Sequence, residues 1–200
     1  MLTYSQVDFQ DLRELFNVEV RSAAFLPQPL APLPLPGWLR EYLSISPLTP
    51  AISKSEKAVS EAIIYPILSA VKAHHAGRIG LFSGEPLSSA DLTGICDFIL
   101  TTDPDSYEAR PPIMVLVEAK RQDLLRAIPQ CVAEMVVAQQ LNQRTGVHFP
   151  AVYGCVTTGN QWQFLRLADK QAVTDPNIFY YSNLEAVLGA LNWVVNQFDV

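Results

Sequence analysis

The 200-residue chain has little of what most simple assignments need. Its three cysteines, Cys96, Cys131 and Cys155, are scattered with no CxxC spacing, so neither a disulfide framework nor a zinc knuckle is indicated. No apolar run approaches the roughly 18 residues of a membrane span. The opening "MLTYSQVDFQDLREL" carries acids and lacks both a basic start and an apolar signal core, so a soluble, cytoplasmic protein is expected. No GxxxxGK or GxGxxG motif is present, and no nucleotide cofactor is expected. Basic charge is scarce too: the formal net charge of -6 argues against broad, charge-driven adhesion to nucleic acid and leaves only a local basic groove. No internal repeat stands out.

Apolar residues and prolines are abundant. With 49% hydrophobic residues the chain can fill one well-cored domain. Residues 27–50, "PQPLAPLPLPGWLREYLSISPLTP", are crowded with prolines that fix φ and lack a donor. They predict an irregular wrap with one short amphipathic piece over 37–44, and the interleaved leucines predict packing on the domain or on a partner. An N-terminal helix and this packing segment (1–52) therefore precede the main α/β unit (53–200), the two forming one globular body.

After Ser53, read as an N-cap, apolar spacing predicts a helix over 54–74, kinked at Pro66. "RIGLFSGEPL" reads as a strand with a glycine irregularity, "TGICDFIL" as a second and "PPIMVLVEAK" as a third, in antiparallel hairpins. A helix over 128–143 follows, with Pro129 in its first turn. "AVYGCVTTGNQWQFLRL" reads as a hairpin turning at Gly159-Asn160, and 182–198 as a closing amphipathic helix.

Chemistry concentrates where two of these strands carry acids. Symmetric closure of the second hairpin puts position 97 opposite 116 and 95 opposite 118, with Asp97, Glu118 and Lys120 on one face and Cys96, Phe98, Val115 and Val117 on the other. Asp97 interrupts an otherwise apolar run, and a buried carboxylate needs a partner or a proton. A divalent cation shared with Glu118 would compensate it, hard oxygen ligands suiting Mg²⁺, and Lys120 would orient the attacking water or stabilise developing charge. The alternative is a structural Asp97–Lys120 ion pair with Glu118 solvated at a strand end.

"GICDFIL" followed by "PIMVLVEAKRQD" resembles the PD-(D/E)XK nuclease superfamily, which has an acid on one strand and acid-x-lysine on the next. The likeness spans residues 53–167, and Cys96 stands where proline is common. It implies a three-layer α/β/α restriction-endonuclease-like core with a mixed central sheet. It also implies Mg²⁺, with Mn²⁺ a possible substitute, DNA as substrate, and a further glutamate on the first helix. Glu56 shares the inward stripe of that helix, whereas Glu61 lies well round it. Gln130, with Glu134 one turn on, matches the glutamine that RecB-like members place after the lysine, although helix-face polarity explains both nearly as well. His74-His75 reads as a cation pair at a helix end, and Trp162, Phe164 and Tyr153 read as core. Arg121 could meet a phosphate.

The resulting expectation is a Mg²⁺-dependent nuclease using Asp97, Glu118 and Lys120, supported by Glu56 and Gln130. Its rival is a non-catalytic module of the same fold that binds nucleic acid or protein. A homodimer, or a partner subunit needed for activity, is compatible with either.

Overall fold

A mixed sheet of eight strands runs through the computed structural model, which describes residues 2–120, 123–146 and 148–198. In chain order its elements are β1 (Leu2–Thr3), α1 (Phe9–Glu14), β2 (Glu19–Ser22), α2 (Gly37–Ile45), α3 (Pro50–Ser53), α4 (Glu56–Val59) and α5 (Tyr65–His74). There follow β3 (Gly80–Ser88), β4 (Leu92–Thr101), β5 (Ile113–Ala119), α6 (Leu124–Arg144), β6 (Val152–Thr157), β7 (Gln161–Ala168), β8 (Gln171–Tyr180) and α7 (Leu184–Val195). Strands β3, β4 and β5 form an antiparallel meander. Helix α6 then carries the chain to β6, which lies parallel to β5, and β7 and β8 extend the sheet antiparallel.

Alternation along the strands feeds two apolar clusters. Val115 and Val117 pack with Ile63 and Ile67 of the first long helix and with Leu188 and Leu191 of α7. Leu116 and Ile113 pack with Ile128, Val132 and Met135 of α6. Trp162, Phe164 and Tyr153 are buried in the first cluster, as expected of core residues.

The first long helix begins later than expected. Ser53 ends α3, whose cap is Thr49, and the cap of α4 is Ser55, whose hydroxyl accepts from the Ala58 N–H. Glu56 thus opens the helix. Ser60–Ile64 form a π-helical stretch ahead of Pro66, which absorbs the donor that proline lacks. Helix α6 begins at Leu124, capped by Asp123 at Leu125 and Arg126, so Pro129 lies inside it instead of in its first turn.

Strands β1, β2 and β8 go beyond the expected set. β8 contains "TDPN", residues with turn chemistry, and nothing in the sequence marked it as a strand. In the fold Asp175 is buried, and its carboxylate accepts from the N–H groups of Phe25, Leu26 and Asn177 at 2.9 Å each. That side chain fastens the start of the proline-rich wrap. The wrap packs on the domain: Leu26, Leu30, Leu33 and Leu35 join the first cluster, and the Leu33 N–H donates to the Glu185 carbonyl. Gly189 of α7 lets the Ala31 carbonyl approach to where a Cβ would stand 2.4 Å from its oxygen.

His75 corrects another expectation. It is buried, its Nε2 lies 3.0 Å from Asn192 Oδ1, and burial lowers its pKa, so it ties α5 to α7 as a neutral ring instead of forming a cation pair.

Candidate active site

The acids meet where β4 and β5 part. The ladder between them pairs Phe98 with Val117 and Ile99 with Leu116, two residues away from the symmetric closure expected: Thr101 already lies opposite Ile113, one residue off, and a bulge at Leu100/Thr101 adds the second. A shift of two preserves the faces, and continuing this register brings Asp97 beside Glu118. On its other edge β4 pairs Phe98 with Ser83 and Cys96 with Glu85, with Gly84 at φ +70° between them. The register is the same on either side of that glycine. Cys96 nevertheless packs in the α6-side cluster, apart from Phe98, Val115 and Val117 with which it was expected to share a face.

Asp97 Oδ2 accepts the Ala119 N–H at 2.8 Å, so the carboxylate caps the ladder where its backbone pairing stops. Burial raises its pKa, opposed by that hydrogen bond and by Lys120. Glu118 is 1% exposed and forms an ion pair with Lys120 through Oε1. The structural alternative of an Asp97–Lys120 pair beside a solvated Glu118 is therefore not what the fold presents. Burial first, and Asp97 second, push Glu118 up to about 7, with Lys120 working against both. For Lys120, burial pulls the pKa down, but Glu118, Glu56 and Asp97 outweigh it and the net shift is upward. The lysine is thus an ammonium at neutral pH, a charge and hydrogen-bond donor instead of a base.

Behind Glu118 stands Glu134 of α6, fully buried, with Oε1 3.4 Å from Gln130 Nε2 and its side chain hydrogen-bonded to that of Glu118. Burial and the neighbouring Glu118 push its pKa well up. With no cation beside it, Glu134 holds the proton of the pair, while Glu118 keeps the lysine. Gln130 therefore addresses Glu134 directly. The depth of Glu134 had a signal in sequence: Ala127, Cys131, Glu134 and Ala138 recur at helical spacing among buried residues.

Glu56 is half-buried at the start of α4 and close enough to affect both Asp97 and Lys120. Glu61 is exposed and pairs with Lys57 at 3.7 Å, away from the acids. The tip of the β6–β7 hairpin closes this side: Gly159 abuts Val59, and the Lys120 N–H donates to the Thr157 carbonyl. Arg121 lies outside the described residues.

Two observations bear on a cation here. Glu118 is buried beside Asp97 and Glu134, so hard-oxygen acids gather at one place, which fits the donor chemistry of Mg²⁺. Among the described residues no group of three or more His, Cys, Asp and Glu side chains forms a ready metal cage. Magnesium requires few protein ligands, so a carboxylate pair supplemented by water and substrate oxygens suffices. Among the described residues no helix is long and apolar enough to cross a membrane. Compared with known proteins, the chain matches no family model and no curated protein.

Proposed function

We propose that the chain is a Mg²⁺-dependent nuclease of the PD-(D/E)XK type, hydrolysing DNA phosphodiester bonds. The observation that carries this reading is the juxtaposition of Asp97, Glu118 and Lys120 at the parting of β4 and β5. The order of a first helix, three antiparallel strands, α6 and a parallel β6, with helices packed on both faces of the sheet, supports a restriction-endonuclease-like core.

Asp97 and Glu118 would hold the cation, which when bound lowers the pKa of water and neutralises phosphate charge. Lys120, already protonated, would place its positive charge against the phosphate oxygens as negative charge builds there. Leaving Glu118 frees the carboxylate for the cation, so the ion pair is a resting arrangement of the site. Asp97 is held by the Ala119 N–H and does not need to move. Glu56 would supply further negative potential at the mouth.

The second reading, a binding module with a relic site, draws on the same ion pair: Glu118 is sequestered, and its charge is already matched. A melting experiment with Mg²⁺ separates them. Selective binding to the native state at tenfold excess over Kd stabilises it by about 1.4 kcal/mol, a shift of a few degrees. Asp97→Asn should abolish that shift. A melting temperature unmoved by millimolar Mg²⁺ and Mn²⁺ favours the binding module.

A further inference from the structure

A second charged locus lies on the far strands of the sheet, away from the acids. Arg166 of β7 is paired in register with Tyr153 of β6 and Val173 of β8, and Val173 in turn with Arg21 of β2. These four residues form one row on one face, so the α-carbons of the two arginines stand about 10 Å apart, two strand spacings. The Arg166 guanidinium lies over the Phe25 ring, 5.6 Å from its centroid, and Phe25 and Tyr153 adjoin Trp193. Stacking fixes the plane of the guanidinium.

Its hydrogen bonding is incomplete. Arg166 Nε is buried without an acceptor, and among the described residues neither Arg166 nor Arg21 forms an ion pair. A cavity of about 430 Å³ opens beside it, lined by Arg166, Ala168, Asp169, Lys170, Gln171 and Val173. Lys170 gives one donor to the Phe16 carbonyl and has others to spare. Glu19 (opposite Gln171), Asp169 and Asp175 are the local acids, the last committed to the N–H groups of Phe25, Leu26 and Asn177, so three cations face three carboxylates of which one is already engaged.

We propose that this cavity binds a small oxyanion, a phosphate or carboxylate group held by the Arg166 fork, with Arg21 and Lys170 closing on it from the rim. The planar guanidinium that lines the cavity matches such a group in geometry and charge. Nothing in this proposal depends on the nuclease reading.

The intact protein, isotopically labelled, is titrated at constant ionic strength with inorganic phosphate and separately with succinate, and amide shifts are followed by NMR. Saturable shifts centred on β7 and β8 are expected, with half-saturation near or below about 1 mM. Arg166→Gln should weaken binding by about tenfold or more, since a bidentate charged contact is lost. Because Arg166 is packed on Phe25, the exposed Arg21→Gln provides a second variant that leaves the core untouched, expected to weaken binding several-fold. Saturation by phosphate alone assigns a phosphorylated ligand, and by succinate alone a carboxylate. Shifts that fail to saturate for either anion, or that persist unchanged in both variants, overturn the proposal.

Discussion

Glu118 is the residue on which the site's energetics turn, because three neighbours act on it with opposite signs. Its folded pKa near 7 lies above the ordinary value of 4.5, so between those two values the native state retains a proton on Glu118 that the unfolded chain releases, and the ion pair with Lys120 forms as pH rises through about 7. Its contribution to stability is therefore present below pH 4.5 and is lost as pH rises through about 7, amounting to about 3 kcal/mol at most. His75, with its pKa lowered, works in the other sense and weakens the fold as pH falls below its ordinary value of 6.5. The readout is accordingly a difference. Urea unfolding of wild type and Glu118→Gln between pH 5 and 8 should show the variant gaining on wild type as pH rises. A constant gap would mean that Glu118 is ionised throughout. Glu134→Gln should retain the fold, since an amide replaces a protonated carboxyl, whereas an ionised Glu134 would make that substitution stabilising by relieving repulsion.

At the scale of elements, the clearest dependency is that of the proline-rich wrap on β8 and α7. Asp175 holds an ionised carboxylate at a buried position: burial opposes it, but the N–H groups of Leu26, Phe25 and Asn177 outweigh that and lower its pKa. Asp175→Ala strands those donors and should cost about 2 to 4 kcal/mol in urea unfolding, with faster proteolysis within residues 27–36. Gly189→Ala forces a methyl against the Ala31 carbonyl and should cost about 1 to 3 kcal/mol. Wild-type protease resistance in both variants would detach the wrap from these contacts. The same elements show what a sequence reveals. The strands around Asp97 and Glu118 were legible because acids interrupt long apolar runs, and α7 because its leucines repeat at helical spacing. β8 was not, because Asp175-Pro176-Asn177 has turn chemistry that only the distant Phe25 and Leu26 convert into strand and cap. The bulge at Leu100/Thr101 that helps set the register of β4 on β5 depends on pairing across the sheet, which local spacing does not encode.

At the scale of the whole molecule, the proposed nuclease is an acidic chain in which one lysine and two acids would serve phosphodiester hydrolysis at the parting of two strands, with the rest of the sheet as their frame. The most direct test is cleavage of linear, circular, single-stranded and branched DNA by the intact protein in Mg²⁺ or Mn²⁺, beside Glu118→Gln and Lys120→Met. Metal-dependent cleavage of at least one substrate by wild type is expected, reduced by about 10²-fold or more in each variant, the scale of losing one charge-stabilising group. Equal cleavage by wild type and both variants, or none on any substrate while all three proteins are folded, would contradict it.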